Sequence, residues 1–260
     1  MSQELRSYSI FIWRDPYVKS GRELIQEYRG KLIKYDMEGI STDMSFLEML
    51  DVLNNQLVSQ GLPAVCFESD CREGICGACS LTINNYPHGE DKNTTTCQIH
   101  MRTFEAGDTI VIEPFMAGPF PHIRDLVVDR RALDKIMQSG GYVSVNVGSA
   151  PDAHSILIDK KSADEAFEAA ACIGCGACVA VCKNSSAMLF VGAKVAQLSR
   201  LPQGQPERAQ RVKQMIASME SLNFGGCSNF KGCEVVCPKG ITTKVISELN
   251  WEFLKSVIKS

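Results

Sequence analysis

Residues 71–79 read Cys-Arg-Glu-Gly-Ile-Cys-Gly-Ala-Cys, which is a C-x4-C-x2-C spacing, and a fourth cysteine follows at Cys97. Three thiols in one tight loop and a fourth further along the chain are typical of a plant-type [2Fe-2S] cluster. Gly74 and Gly77 suit such a loop, because glycine permits bends that turn backbone N–H groups toward sulfur. A structural zinc site is the alternative, although zinc more often pairs one C-x2-C with another or with histidines. The predicted ligands of the [2Fe-2S] cluster are Cys71, Cys76, Cys79 and Cys97.

The sequence around this loop predicts a small mixed sheet with a helix. The runs that are rich in β-forming residues are 7–14, 30–35, 80–83 and 109–113. Residues 45–60 predict a helix, because Ser45 and Glu48 have the spacing of a capping box and an apolar stripe follows them. This pattern is compatible with a β-grasp, plant-type ferredoxin domain, which we predict at residues 1–122.

Two further cysteine groups lie in the second half of the chain. Residues 172–182 contain C-x2-C-x2-C-x3-C, the run of bacterial ferredoxins, and residues 227–237 contain C-x5-C-x3-C, with Phe230 where the template has a cysteine. In two-cluster ferredoxins the fourth cysteine of each run binds the other cluster. Crossing the ligands in this way gives a four-thiolate set, expected to hold [4Fe-4S]: Cys172, Cys175, Cys178 and Cys237. The remaining three thiolates are expected to hold [3Fe-4S]: Cys182, Cys227 and Cys233.

The [3Fe-4S] assignment has an alternative, which is a [4Fe-4S] cluster whose fourth iron takes water or an outside ligand. Cys66 has no place in the three sets and is expected to be a small buried residue. Helical patterns cover residues 123–137, 162–171, 206–222 and 242–258. The second of these starts with the capping-box spacing of Ser162 and Glu165. The second domain is therefore predicted at residues 123–260 as an all-helical, bacterial-type two-cluster ferredoxin, and the fold class is α+β.

Composition places limits on function. The chain has 260 residues, 45% of them hydrophobic, and a formal net charge of -3, which argues against nucleic acid as the main partner. The N-terminus lacks the apolar region of a signal peptide, and no run of about 18 apolar residues occurs. The 12 cysteines are therefore expected to bind metal rather than to form disulfides. We find no catalytic triad and no dinucleotide fingerprint, so the pattern indicates an electron conductor without a substrate site of its own.

These motifs, in this order, resemble the iron–sulfur subunit of succinate dehydrogenase and fumarate reductase (respiratory complex II). The resemblance includes residues 71–79, Ile112-Glu-Pro114, the stretch Phe120–Asp129 and the spacing of both later cysteine groups. It implies a flavoprotein partner that carries FAD and interconverts succinate and fumarate, and electron transfer through [2Fe-2S], [4Fe-4S] and [3Fe-4S] in that order. It also implies a transmembrane anchor where quinone is reduced, and a peripheral location on the cytoplasmic face of the cell membrane.

Two departures concern the quinone end of the family. Lys183-Asn-Ser-Ser186 follows Cys182 where ubiquinone-reducing members have Pro-Ser and a tryptophan, and Ser228 stands where they have histidine. We therefore transfer no quinone-binding residue. Residues 169–204 resemble the bacterial branch with menaquinone and a haem b-bearing anchor. The alternatives are the iron–sulfur subunit of another respiratory oxidoreductase (with a glycolate, glycerol-3-phosphate or thiol–disulfide donor) and a zinc-stabilised interaction module.

Overall fold

Strand β1 (Leu5–Arg14) is an inner strand of the first unit and pairs with a neighbour on each side. Its alternate residues Tyr8, Ile10 and Ile12 are buried, as expected for a strand with one face on a core. The structure is a computed structural model that describes residues 4–15, 18–19, 23–24, 30–144, 148–149 and 151–258. The chain divides into two compact units, Met1–Asp129 and Arg130–Ser260.

The first unit is a mixed sheet with one face covered by a helix. Its further strands are β2 (Val18–Lys19), β3 (Glu23–Leu24), β4 (Lys31–Ser41), β5 (Leu81–Ile83), β6 (Tyr86–Pro87), β7 (Thr109–Pro114), β8 (His122–Arg124) and β9 (Val127–Val128). The main sheet has the order β4-β1-β7-β5-β6, in which β1 is antiparallel to β4 and parallel to β7. Parallel neighbours require a crossover, and the long connection between β1 and β7 carries both the helix and the first cysteine loop.

Helix α1 (Phe46–Ser59) begins with the predicted capping box, which is confirmed. The Ser45 side chain accepts from the backbone N–H of Glu48, and the Glu48 carboxylate accepts from the backbone N–H of Ser45 at 2.7 Å. These bonds satisfy donors that the first helical turn leaves free. Leu50, Leu53 and other apolar residues of the helix are buried in the core of this unit.

The prediction of one helix over residues 123–137 is wrong in its first half. Residues 122–128 form the β8–β9 hairpin, and α2 (Arg131–Gly140) begins only after it. The reason is Asp125, which lies in the hairpin turn with a left-handed backbone (φ +46°) and is 1% exposed. Its carboxylate accepts from the N–H groups of Asp15 (2.8 Å) and Cys66 (2.9 Å) and lies 3.3 Å from Nε of Arg14. The hairpin is thus fastened to the first compact unit, Met1–Asp129.

Replacing Asp125 with asparagine is expected to destabilise the first unit by about 2 kcal/mol. The variant keeps one acceptor oxygen but loses the charge opposite Arg14, and hydrogen bonds to charged groups contribute about 1.5–3 kcal/mol. Chemical unfolding of the full chain measures this loss. Asp43→Asn is the control, because the Asp43 side chain is 70% exposed and its ion pair with Arg102 spans 3.6 Å. Equal stability of the two variants would contradict the role given to Asp125.

The second unit consists of helices joined by cysteine-bearing loops. They are α2, α3 (Lys160–Ala170), α4 (Ala177–Ala180), α5 (Met188–Arg200), α6 (Arg208–Ser221), α7 (Gly232–Val235) and α8 (Lys244–Ile258). Helix α5 packs against α3, α6 and α8 and is buried along most of its length. Gly192 permits the close approach to α8, because a Cβ there would lie 2.7 Å from the carbonyl oxygen of Val245. Among the helices that the structure describes, none has the length and apolar character needed to cross a bilayer.

Helix α3 begins earlier than predicted. We expected residues 162–171 with a capping box formed by Ser162 and Glu165, but the cap is Asp159, whose side chain accepts from the N–H of Ser162 at 2.9 Å. Glu165 instead accepts from Arg200 and Lys244, which come from α5 and α8. The carboxylate thus joins three helices, a contact that local spacing does not reveal.

Candidate metal centres

The first cysteine loop, residues 71–79, connects α1 to β5 and turns sharply at its glycines. Gly74 and Gly77 both have left-handed backbones, with φ of +70° and +72°. At Gly74 a Cβ would lie 2.2 Å from Oε1 of Gln98, so the side chain next to Cys97 packs directly against the loop at this glycine. The glycines therefore serve both the bend and the approach of the fourth predicted ligand.

Hydrogen-bond donors point at the sulfur atoms of this loop. The N–H of Glu73 lies 3.3 Å from Sγ of Cys71, and the N–H of Ala78 lies 3.4 Å from Sγ of Cys76. Such donors stabilise thiolates, and those of Glu73 and Ile75 lower the pKa of Cys71 to about 7. Burial has the opposite effect on Cys79 and raises its pKa to about 12, so a thiolate at Cys79 needs a cation beside it.

Arg72 fastens the same loop to α1. Its guanidinium donates to both carboxylate oxygens of Asp51, at 2.7 and 3.2 Å. This two-point pairing fixes the orientation of the loop better than a single contact would.

Cys66 lies outside the loop. Burial raises the pKa of its thiol, and its backbone N–H donates to the Asp125 carboxylate.

Four cysteines line one cavity in the second unit. They are Cys172, Cys175, Cys178 and Cys237. The rest of the wall is largely apolar and includes Leu189 and Phe190 from the start of α5. The structure therefore brings together the set of thiols that crossing the two ferredoxin runs predicts.

Burial dominates the chemistry of these thiols. It raises the pKa of Cys172, raises that of Cys175 to about 12 and raises that of Cys178 well above its usual value. Buried thiols remain protonated unless a metal displaces the proton, so a thiolate set here depends on bound cations. Nη1 of Arg130 donates to the carbonyl oxygen of Cys175 at 2.9 Å and holds the loop from outside.

The other three cysteines of this unit line a second cavity. Cys182, Cys227 and Cys233 contribute the thiols, and Phe230 forms part of the wall. Nζ of Lys183 lies 4.7 Å from the centroid of the Phe230 ring, a cation–π distance. The position that carries a cysteine in the four-cysteine template therefore carries an aromatic ring that cannot bind iron.

The donor sets fit iron–sulfur clusters better than a single ion. Within the part of the chain that the structure describes, no three or more His, Cys, Asp or Glu side chains are grouped as a site for one metal ion. In a cubane cluster each thiolate binds a different iron, so its ligands surround a volume and not a point. The two cavities, each lined by three or four thiols and apolar atoms, have that form.

Sequence reasoning did not predict the contacts of three charged residues around these sites. Arg130, Lys183 and Lys194 all take part in contacts or electrostatic interactions near the cysteines. The burial of Lys194 could have been predicted from its position in an apolar stretch, Phe-Val-Gly-Ala-Lys-Val-Ala at residues 190–196.

Two family models for iron–sulfur domains match this chain. Residues 20–135 match a "2Fe-2S iron-sulfur cluster binding domain", and residues 168–241 match a "4Fe-4S dicluster domain". The succinate dehydrogenase iron-sulfur subunit of Bacillus subtilis is 30% identical over 190 residues, 72% of this chain and 71% of that protein. The fumarate reductase iron-sulfur subunit of Wolinella succinogenes is 30% identical over 186 residues, 69% of this chain and 73% of that protein.

A solved structure shows the same fold. The match is to a chain of the Mycobacterium smegmatis Sdh1 complex in the apo form, with a TM-score of 0.66, 20% sequence identity and 97% of each chain covered. The predicted α+β class, a sheet domain of ferredoxin type followed by a helical cluster-binding domain, is confirmed. By its sequence relatives and its two cluster-binding domains, the chain belongs to the iron–sulfur subunits of succinate dehydrogenase and fumarate reductase, which transfer electrons within complex II.

Proposed function

We propose that eleven of the 12 cysteines hold three clusters. The first loop with Cys97 takes [2Fe-2S], the four-cysteine cavity takes [4Fe-4S] and the three-cysteine cavity takes [3Fe-4S]. The grouping of seven thiols into two separate cavities is the observation that carries this proposal. When bound, these clusters supply one-electron carriers between a flavin donor and a quinone acceptor.

The chain's own residues set the conditions for that transfer. Buried apolar residues such as Leu189 and Phe190 keep water from the four-cysteine cavity. Backbone N–H groups at Glu73, Asn229 and Ile241 point at the sulfur atoms of Cys71, Cys227 and Cys237 and stabilise negative charge there. The chain thus holds and insulates its cofactors, and the substrate chemistry belongs to a partner.

The partners follow from the family. We propose a flavoprotein subunit with FAD at one end of the relay and a transmembrane anchor at the other, which places this chain at the cytoplasmic face of the cell membrane. The likeness of residues 169–204 to the menaquinone branch supports a haem b-bearing anchor and menaquinone as the quinone. The unit boundary after Asp129 supports a division of the cluster sites between one sheet domain and one helical domain.

The test is to purify the native complex and to determine its subunits, metals and spectra. We expect about nine irons per copy of this chain, together with EPR signals of all three cluster types. We also expect a flavoprotein, haem b absorption and succinate-dependent reduction of the clusters. Zinc in place of iron would contradict the cluster proposal, and reduction by glycolate or glycerol-3-phosphate instead of succinate would contradict the proposed donor.

A further inference from the structure

Lys194 is a half-buried cation without a carboxylate partner. It lies on α5 between the buried residues Ala193 and Val195, and Nζ donates to the neutral side chain of Gln197 at 2.8 Å. In the part of the chain that the structure describes, Lys194 forms no ion pair. Burying an ammonium in such surroundings costs free energy, unless a nearby negative charge compensates for the loss of hydration.

The helix that carries Lys194 also lines the four-cysteine cavity. Helix α5 supplies Leu189 and Phe190 to the wall of that cavity and continues to Lys194 about one turn later. Burial lowers the pKa of Lys194, and the attraction of the Cys172 thiolate opposes this effect, while Arg211 repels the ammonium. Among the described residues, Cys172 of the four-cysteine cavity is the group that attracts the ammonium, and no carboxylate contributes.

We infer that Lys194 raises the reduction potential of the four-cysteine centre by compensating its charge, an inference that rests on the cluster proposed for that cavity. Reduction adds one electron and requires neither a proton nor a change of bonds. The added negative charge is stabilised by a nearby cation, the more so where water is partly excluded. Lys194 is therefore a tuning residue that touches neither substrate nor quinone and acts on the centre through space.

Other cations act on the same cavity, and they limit the size of the effect. Lys239 is part of its lining, and Arg130 binds the carbonyl oxygen of Cys175. Removing Lys194 is therefore expected to shift the potential without abolishing the centre. At a fixed potential near the midpoint, we expect the ratio of reduced to oxidised centre to fall by roughly three- to tenfold, the range for one partly screened charge.

The experiment is an EPR-monitored redox titration of the intact complex that carries Lys194→Met, Lys194→Gln or Lys194→Arg. Met and Gln should both lower the midpoint potential of the [4Fe-4S] signal, and Arg should keep it close to the wild type. Lys160→Met is the control, because the Lys160 side chain is 87% exposed and paired with Asp164, so its charge is screened. The [2Fe-2S] midpoint, which belongs to the other unit, should stay constant in every variant.

Each outcome gives an answer. A [4Fe-4S] midpoint that stays at the wild-type value in Lys194→Met or Lys194→Gln overturns the inference, and so does an equal fall in Lys160→Met. If Lys194→Met disturbs the packing of α5 and loses the cluster, the midpoint potential of Lys194→Gln, whose side chain keeps a polar end, decides whether the inference holds. A wild-type complex without any [4Fe-4S] signal would instead overturn the proposed cluster assignment, which is a separate result.

Discussion

Replacing Phe230 with cysteine is expected to convert the three-cysteine centre into a four-iron centre. Phe230 lines the cavity together with Cys182, Cys227 and Cys233, at the place of the missing fourth ligand. The ring is 55% exposed, so its removal opens no cavity in the core. The contact with Lys183 that is lost is worth about 0.5–1 kcal/mol, which is small beside a new iron–thiolate bond.

The measurement is iron content with EPR of the oxidised complex. The variant should gain one iron per chain and lose the EPR signal of the oxidised three-iron cluster. Two controls separate ligation from disturbance. Phe230→Ser removes the ring without adding a thiol, and Val235→Cys adds a thiol at a 64% exposed residue outside the lining of the cavity. Both should keep the three-iron signal. If wild-type protein already holds four irons at this centre, the alternative with water on the fourth iron is correct.

Replacing Arg211 with methionine is expected to destabilise the helical unit by about 3–5 kcal/mol. Arg211 is 1% exposed, and its guanidinium donates to the carbonyl oxygens of Gly140, Tyr142 and Gly204, each at 2.8 Å. Methionine fills a similar volume but leaves the buried carbonyl oxygens of Gly140 and Gly204, and the part-buried one of Tyr142, without this donor. Each unsatisfied group costs about 1–3 kcal/mol, and part of this cost is recovered by relaxation. Burial also lowers the pKa of Arg211.

Thermal unfolding of the full chain should show a fall in Tm of about 10 °C or more. The Tm of Arg211→Lys should lie between those of Arg211→Met and the wild type, because an ammonium can donate to some of the three carbonyl oxygens but not to all of them. Arg102→Met is the surface control, because the Arg102 side chain is 56% exposed and its ion pair with Asp43 spans 3.6 Å. If the Tm of Arg211→Met falls no further than that of Arg102→Met, solvent replaces the guanidinium, and the role given to Arg211 is contradicted.

Local sequence patterns predicted those features whose cause is itself local. The capping box at Ser45 and Glu48 formed as expected, because both of its hydrogen bonds join residues three positions apart. The same spacing at Ser162 and Glu165 does not form a capping box. Asp159 caps that helix, and the Glu165 carboxylate accepts from Arg200 and Lys244 on other helices. The hairpin at residues 122–128 was missed for a similar reason, since the partners of Asp125 lie more than fifty residues away.

The sequence by itself determined the kind of chemistry, because cluster ligands are cysteines and their spacing within a loop is a local property. It also determined that residue 230 cannot bind iron, because phenylalanine has no donor atom. Only the tertiary structure decided which charged side chains lose their contact with water. The half-buried ammonium of Lys194 and the fully buried guanidinium of Arg211 owe their environment to helices that meet from distant parts of the chain. The free energy of a charge depends on the dielectric and the partners around it, and these exist only after the helices have packed.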